Sequence, residues 1–107
     1  MRVLLDECVP RPLRREFPAH DVRTIREMGW AGKKNGELLA LMAADGFEVL
    51  LTVDRNLPHQ QNLTAAGLAV VIMVAETNRL ADLVPVVPAV EAALATIRPG
   101  DAVEVRV

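Results

Sequence analysis

Short apolar runs recur along the chain, set apart by polar stretches rich in glycine and proline. Val3-Leu4-Leu5 heads the first and predicts a strand over residues 2–5. Pro10 and Pro12 then permit a helix start, with one apolar-faced turn from Leu13 to Phe17 before Pro18. His20 to Ile25 alternates with period two, as a half-buried or edge strand does. A glycine-marked loop, Met28 to Gly36, leads to a helix with Leu38, Leu41 and Met42 on one face; Asn35 is its expected N-cap and Gly46 its end.

The later runs are more apolar. Residues 47–53 predict a strand covered on both faces, hence central. Residues 59–66 predict a short helix closed by Gly67. Leu68 to Val74 is the strongest strand signal. A last helix starts at Pro85 and Pro88, buries Leu83, Val86, Val87, Val90, Leu94 and Ile97, and stops at Pro99-Gly100. Ala102 to Val107 is a closing strand. Apolar strands alternating with helices predict an α/β fold: a largely parallel five-stranded sheet with helices on both sides.

A chain of 107 residues has room for one core, so residues 1–107 form a single domain. Hydrophobic residues make up 51% and aromatics 3%. Aliphatic side chains must therefore fill the interior, and the composition argues against an aromatic stacking platform for single-stranded nucleic acid. The net charge of −2 gives no global basic signature. The single Cys8 rules out an internal disulfide and fits a reducing compartment. With no signal peptide and no run of membrane-spanning length, a cytoplasmic protein is expected.

Chemistry concentrates where strands end. Asp6-Glu7 follows the first strand, and Asp54 follows the third. If those strands are parallel neighbours, the acids share the edge at which open α/β sheets bind ligands. Clustered carboxylates repel one another, and a hard cation such as Mg²⁺ or Mn²⁺ relieves the repulsion. Glu37, in the first turn of its helix, and Asn56, through its amide oxygen, complete the candidate set of Asp6, Glu7, Glu37, Asp54 and Asn56. Such an ion would serve hydrolysis of a phosphodiester. Arg11, Arg15 and Lys34 are candidate phosphate contacts. Trp30 is expected to pack over the core rather than stack on a base. Acids beside Cys8 would raise its thiol pKa and keep it from acting as a nucleophile. His20 and His59 belong to no site.

Val3-Leu4-Leu5-Asp6-Glu7-Cys8-Val9-Pro10, His20-Asp21-Val22, Met28-Gly29-Trp30-Ala31-Gly32, Asn35-Gly36-Glu37-Leu38-Leu39 and Leu51-Thr52-Val53-Asp54-Arg55-Asn56-Leu57 together resemble the compact bacterial PIN-like proteins of the PIN-like nuclease superfamily. The resemblance implies a Rossmann-like sheet of order 3-2-1-4-5. It also implies a Mg²⁺- or Mn²⁺-dependent ribonuclease, often the toxin of a toxin–antitoxin pair and often a homodimer. By position, Asp6, Glu37 and Asp54 match the family's catalytic acids and Glu7 the usual neighbour of the first. Asn56 stands where many relatives carry a second Asp, and Glu76 is the only late acid at a strand end.

Two other functions use the same parts. A PIN-like module without activity would bind a protein partner. A phosphoacceptor receiver domain would place its acceptor at Asp54 and a hydroxyl at Thr77, but it needs a lysine after the fifth strand, and none follows Lys34.

Overall fold

The computed structural model describes residues 1–57 and 62–107. Five strands alternate with helical segments: β1 (Arg2–Leu5), a 3₁₀ helix (Arg11–Glu16), β2 (Asp21–Thr24), α1 (Asn35–Ala44), β3 (Val49–Thr52), α2 (Leu63–Ala66), β4 (Ala69–Met73), α3 (Leu80–Leu83), a 3₁₀ turn (Val84–Val86), α4 (Val87–Leu94) and β5 (Ala102–Val105). Pro10 and Pro12 flank the start of the first 3₁₀ helix. Asn35 lies inside α1, and Lys34 takes the cap position without a side-chain cap. Asn62 caps α2, its side chain accepting from the Ala65 N–H at 3.1 Å. The first residues of the helix expected over 59–66, and His59, lie outside the described residues.

All five strands are parallel, in the order β2-β1-β3-β4-β5. The α/β class with helices on both faces is therefore as expected. Within it, β3 lies between β1 and β4, where the order 3-2-1-4-5 would set it apart from both. Burial explains the placement. Every residue of β3 and β4 is buried, so both strands need neighbours on each side. β2 exposes Asp21 and Arg23 and buries Val22, so it forms an edge.

Alternation along the strands divides the core into two layers. Val3, Leu5, Val49, Leu51, Val71 and Met73 face Leu13, Leu83, Val86, Val90 and Leu94. Leu4, Leu50, Val70 and Ile72 face Ile25 and the α1 residues Leu38, Leu39 and Met42. Trp30 packs on this second layer, edge-on to Phe47 with ring centroids 5.8 Å apart, as the sequence leads one to expect. Among the described residues, no helix is long and apolar enough to cross a membrane.

The topology marks one place on the sheet. From β1 the chain moves to one side to make β2. From β3 it moves to the other side to make β4 and β5. The connections diverge between the carboxyl ends of β1 and β3, and in open α/β sheets such a point opens a crevice.

Candidate functional site

Both strands that flank this point end in the same way. Asp6 follows β1 and Asp54 follows β3 by two residues. The Asp6 carbonyl accepts the Val9 N–H at 2.9 Å, and the Asp54 carbonyl accepts the Leu57 N–H at 3.4 Å, so each acid opens a tight turn. Each carboxylate also caps its own turn. Asp6 Oδ1 accepts the Glu7 N–H at 2.9 Å, and Asp54 Oδ1 accepts the Asn56 N–H at 2.9 Å. These local bonds fix both side chains at the sheet edge.

Thr52 ties the two ends together. It is the one polar residue buried in the core among the described residues. Its hydroxyl donates to Asp6 Oδ2 at 2.7 Å and accepts the Asp54 N–H at 3.0 Å. A buried hydroxyl needs partners, and here they are the two candidate acids themselves. The Asp6 N–H also donates to the Leu51 carbonyl at 2.9 Å, so the first acid stands level with Thr52.

Cys8 closes this cluster, its Sγ 3.6 Å from Thr52 Oγ1 and 3.8 Å from Asp6 Oδ2. Burial pushes the Cys8 thiol above its ordinary pKa, with the nearby Asp6 charge adding to the effect and hydrogen bonds from Val53 and Thr52 opposing it. The thiol is thus a weak nucleophile, as expected, although burial rather than neighbouring acid is the leading cause. The Cys8 carbonyl accepts from Asn78 Nδ2 at 2.9 Å, which joins the loop after β1 to the loop after β4.

The other candidates are spread along the same rim. The exposed Glu7 accepts the Gly32 N–H at Oε1, at 3.1 Å, and so anchors the glycine-rich loop. That loop feeds α1, which must run back toward the start of β3, so its first turn lies at the carboxyl edge of the sheet. Glu37 is there, 55% exposed and paired with Lys33 at 3.1 Å. Lys34 is exposed at the head of α1. Asn56 is exposed in the turn that Asp54 caps. Among the described residues, no three His, Cys, Asp or Glu side chains stand together closely enough to hold a metal ion.

Two clefts open on this edge. One, of about 410 Å³, lies between the ends of β1 and β2 and is bounded by Asp6, Glu7, Arg11, Thr24, Arg26 and Glu27. The other, of about 250 Å³, lies past β3 and β4 and includes Arg55, Glu76, Thr77 and Asn78. Arg11 therefore shares a cleft with Asp6. Arg15 opens instead on a separate surface with His20 and Arg23. His20 Nε2 lies 3.3 Å from Glu91 Oε2, away from the acids. Thr77 donates to Asp82 and accepts the Arg79 N–H, so its hydroxyl is engaged within its own loop.

Sequence reasoning passed over Thr52 and Arg26. The signal for Thr52 was a hydroxyl within an otherwise apolar strand, which requires a polar partner. Arg26 carried no such signal, because the cleft it enters forms only when β1 and β2 pair. The chain matches no family model, no curated protein and no solved structure.

Proposed function

We propose that this protein is a Mg²⁺- or Mn²⁺-dependent ribonuclease that hydrolyses RNA phosphodiesters at the β1–β3 edge. The observation that carries the reading is the Thr52 bridge, which holds Asp6 and the Asp54 backbone together where the chain's connections diverge. With both of its bonds made inside the core, the hydroxyl fixes the Asp6 carboxylate against the Asp54 backbone.

Asp6 and Asp54 are the principal ligands in this reading, with the Asn56 amide oxygen beside them. Each carboxylate has lone pairs left after its turn-capping bonds. This donor set fits an ion that keeps several waters and takes substrate phosphate oxygens, rather than one enclosed by protein. When bound, the ion would supply an acidified water and positive charge opposite the phosphate. Glu37 is the third acid, reached by exchanging its exposed pairing with Lys33. Glu7 holds the intervening loop and is the remaining candidate ligand. Arg11 and Lys34 supply phosphate contacts along the rim, and Arg15 a more distant one. A cytoplasmic location, a homodimer and an antitoxin partner that covers this edge complete the proposal.

Calorimetric titration with Mn²⁺ tests it on wild type beside Asp54→Asn, followed by RNA cleavage with and without the ion. Saturable binding lost in the variant, with ion-dependent cleavage lost in parallel, is the expected result. No binding to wild type at millimolar Mn²⁺ would overturn it. The open arrangement of the acids, with Glu37 held by Lys33, favours as second reading an inactive module that binds a protein. Mn²⁺ binding without any cleavage would point there.

A further inference from the structure

The two margins of the sheet are finished differently. On β2 the Asp21 N–H donates to the Met1 carbonyl, so by alternation the backbone groups of Val22 and Thr24 point outward. Thr24 is closed off: its N–H goes to Glu27 at 2.7 Å, and its carbonyl accepts the Met28 N–H at 3.3 Å. On β5 the Asp101 and Val105 carbonyls accept the Val70 and Val74 N–H groups at 2.9 and 2.8 Å. The backbone groups of Ala102, Glu104 and Arg106 therefore point outward, and none has a hydrogen-bond partner among the described residues. An open edge of this kind is a template for another strand.

The side chains along this edge alternate as well. Val103 and Val105 turn to the core layer that holds Val90 and Leu94 of α4. Glu104 turns to the other face, where its Oε1 takes Arg55 at 3.0 Å and Arg106 at 3.3 Å. Val107 falls on the Val105 side of an extended chain and is 89% exposed.

We infer that this edge pairs antiparallel with β5 of a second copy of the chain, forming a two-fold homodimer with one continuous sheet. Charge and apolarity select the register. With Val105 opposite the partner's Val105, Glu104 lies opposite the partner's Arg106, and Arg106 opposite the partner's Glu104. These four side chains form a square in which neighbours carry opposite charge. Each such pair also exchanges backbone bonds through the outward-pointing groups. On the other face Val103 lies opposite the partner's Val107, so the exposed Val107 is covered. A register with Glu104 opposite the partner's Glu104 sets like charges face to face and is disfavoured. One patch supplies both charges, which is the self-complementarity that a two-fold interface requires. A short strand pair is a small interface, so association is expected at micromolar concentrations. The pairing is independent of the nuclease reading, since β4 separates β5 from the β1–β3 rim.

Sedimentation velocity on the full chain, across micromolar concentrations, tests it together with amide hydrogen exchange. Wild type should dimerise, and exchange at the Glu104 and Arg106 amides should slow as the dimer forms while Val22 is unchanged. Glu104→Arg and Arg106→Glu each set like charges across the pair, and each should weaken association about tenfold or more. Mixing the two variants should restore association, because each supplies the charge the other has lost, and unfolded chains could not do so. A wild type that stays monomeric, a dimer indifferent to both variants, no restoration on mixing, or protection at Val22 in place of Glu104 would each overturn the assignment. None of these readouts involves metal or RNA, so their failure leaves the nuclease reading standing.

Discussion

The Thr52 hydroxyl donates to Asp6 Oδ2 across 2.7 Å, joining residues 46 positions apart in sequence. Its side chain is fully buried, so neither partner can be replaced there by bulk water. The same oxygen accepts the Asp54 N–H, so one atom sets the spacing of two strand ends. Thr52→Val keeps the shape and removes both bonds. It is expected to lower stability to urea by about 1–3 kcal/mol, since it leaves the Asp54 N–H and one Asp6 oxygen without their partner. Thr52→Ser should recover most of the loss. A variant as stable as wild type would show that the bridge positions nothing.

Lys33 pairs with Glu37, the third acid of the proposed metal site. An exposed ion pair of this kind contributes about 0.2–1 kcal/mol. Lys33→Ala should therefore leave stability nearly unchanged and raise Mn²⁺ affinity about two- to fivefold, as Glu37 becomes free to join Asp6 and Asp54. Calorimetry reads this directly. Unchanged affinity would remove Glu37 from the ligand set.

Cys8 predicts a pH dependence of definite sign. Folding raises the thiol pKa, so the folded chain holds this proton more tightly than the unfolded chain. The resulting stabilisation is complete below the ordinary thiol range and is lost as pH rises through the folded value. Alkylation of native protein should follow a pH profile displaced upward from that of urea-unfolded protein. Cys8→Ser should flatten the alkaline part of the stability curve. Coincident alkylation profiles would exclude the buried environment described for Sγ.

Gly100 ends the turn before β5 with φ +95°, and a Cβ there would meet Thr64 Oγ1 at 2.5 Å. Gly32 has φ +79° but open space around it. Gly32→Ala should cost about 1 kcal/mol from backbone strain alone. Gly100→Ala should cost somewhat more, about 1–2 kcal/mol, because the Thr64 hydroxyl must also turn aside. Thermal unfolding of the two variants side by side gives the comparison.

Much of the architecture was legible because burial leaves a mark on composition. β3 and β4 are apolar on both faces and therefore central; β2 alternates and forms an edge. Asp6 and Asp54 were found for the same reason, as the first polar side chains after apolar runs. The expected order 3-2-1-4-5 came from family likeness, and the apolar character of β3 was the better guide to its neighbours. The helix before β5 kept its buried stripe at Leu83, Val86, Val90 and Leu94, though Pro85 and Pro88 divide it into α3, a 3₁₀ turn and α4. What escaped the sequence depends on contacts distant in the chain. No local pattern says that Thr52 reaches Asp6, that Glu7 caps Gly32, or that Arg11 and Arg26 share a cleft.

The central position of β3 has a consequence for how the molecule is made. Every candidate ligand lies before residue 57, yet the strand that supports Asp54 is flanked by β4, which begins at Ala69. A nascent chain stopped before β4 would carry all the acids while leaving Leu50 and Leu51 on an open, sticky sheet margin. The candidate ligands are all carried by residues 6–56, but the sheet that holds them is complete only once residues 69–73 have been made and have paired with β3.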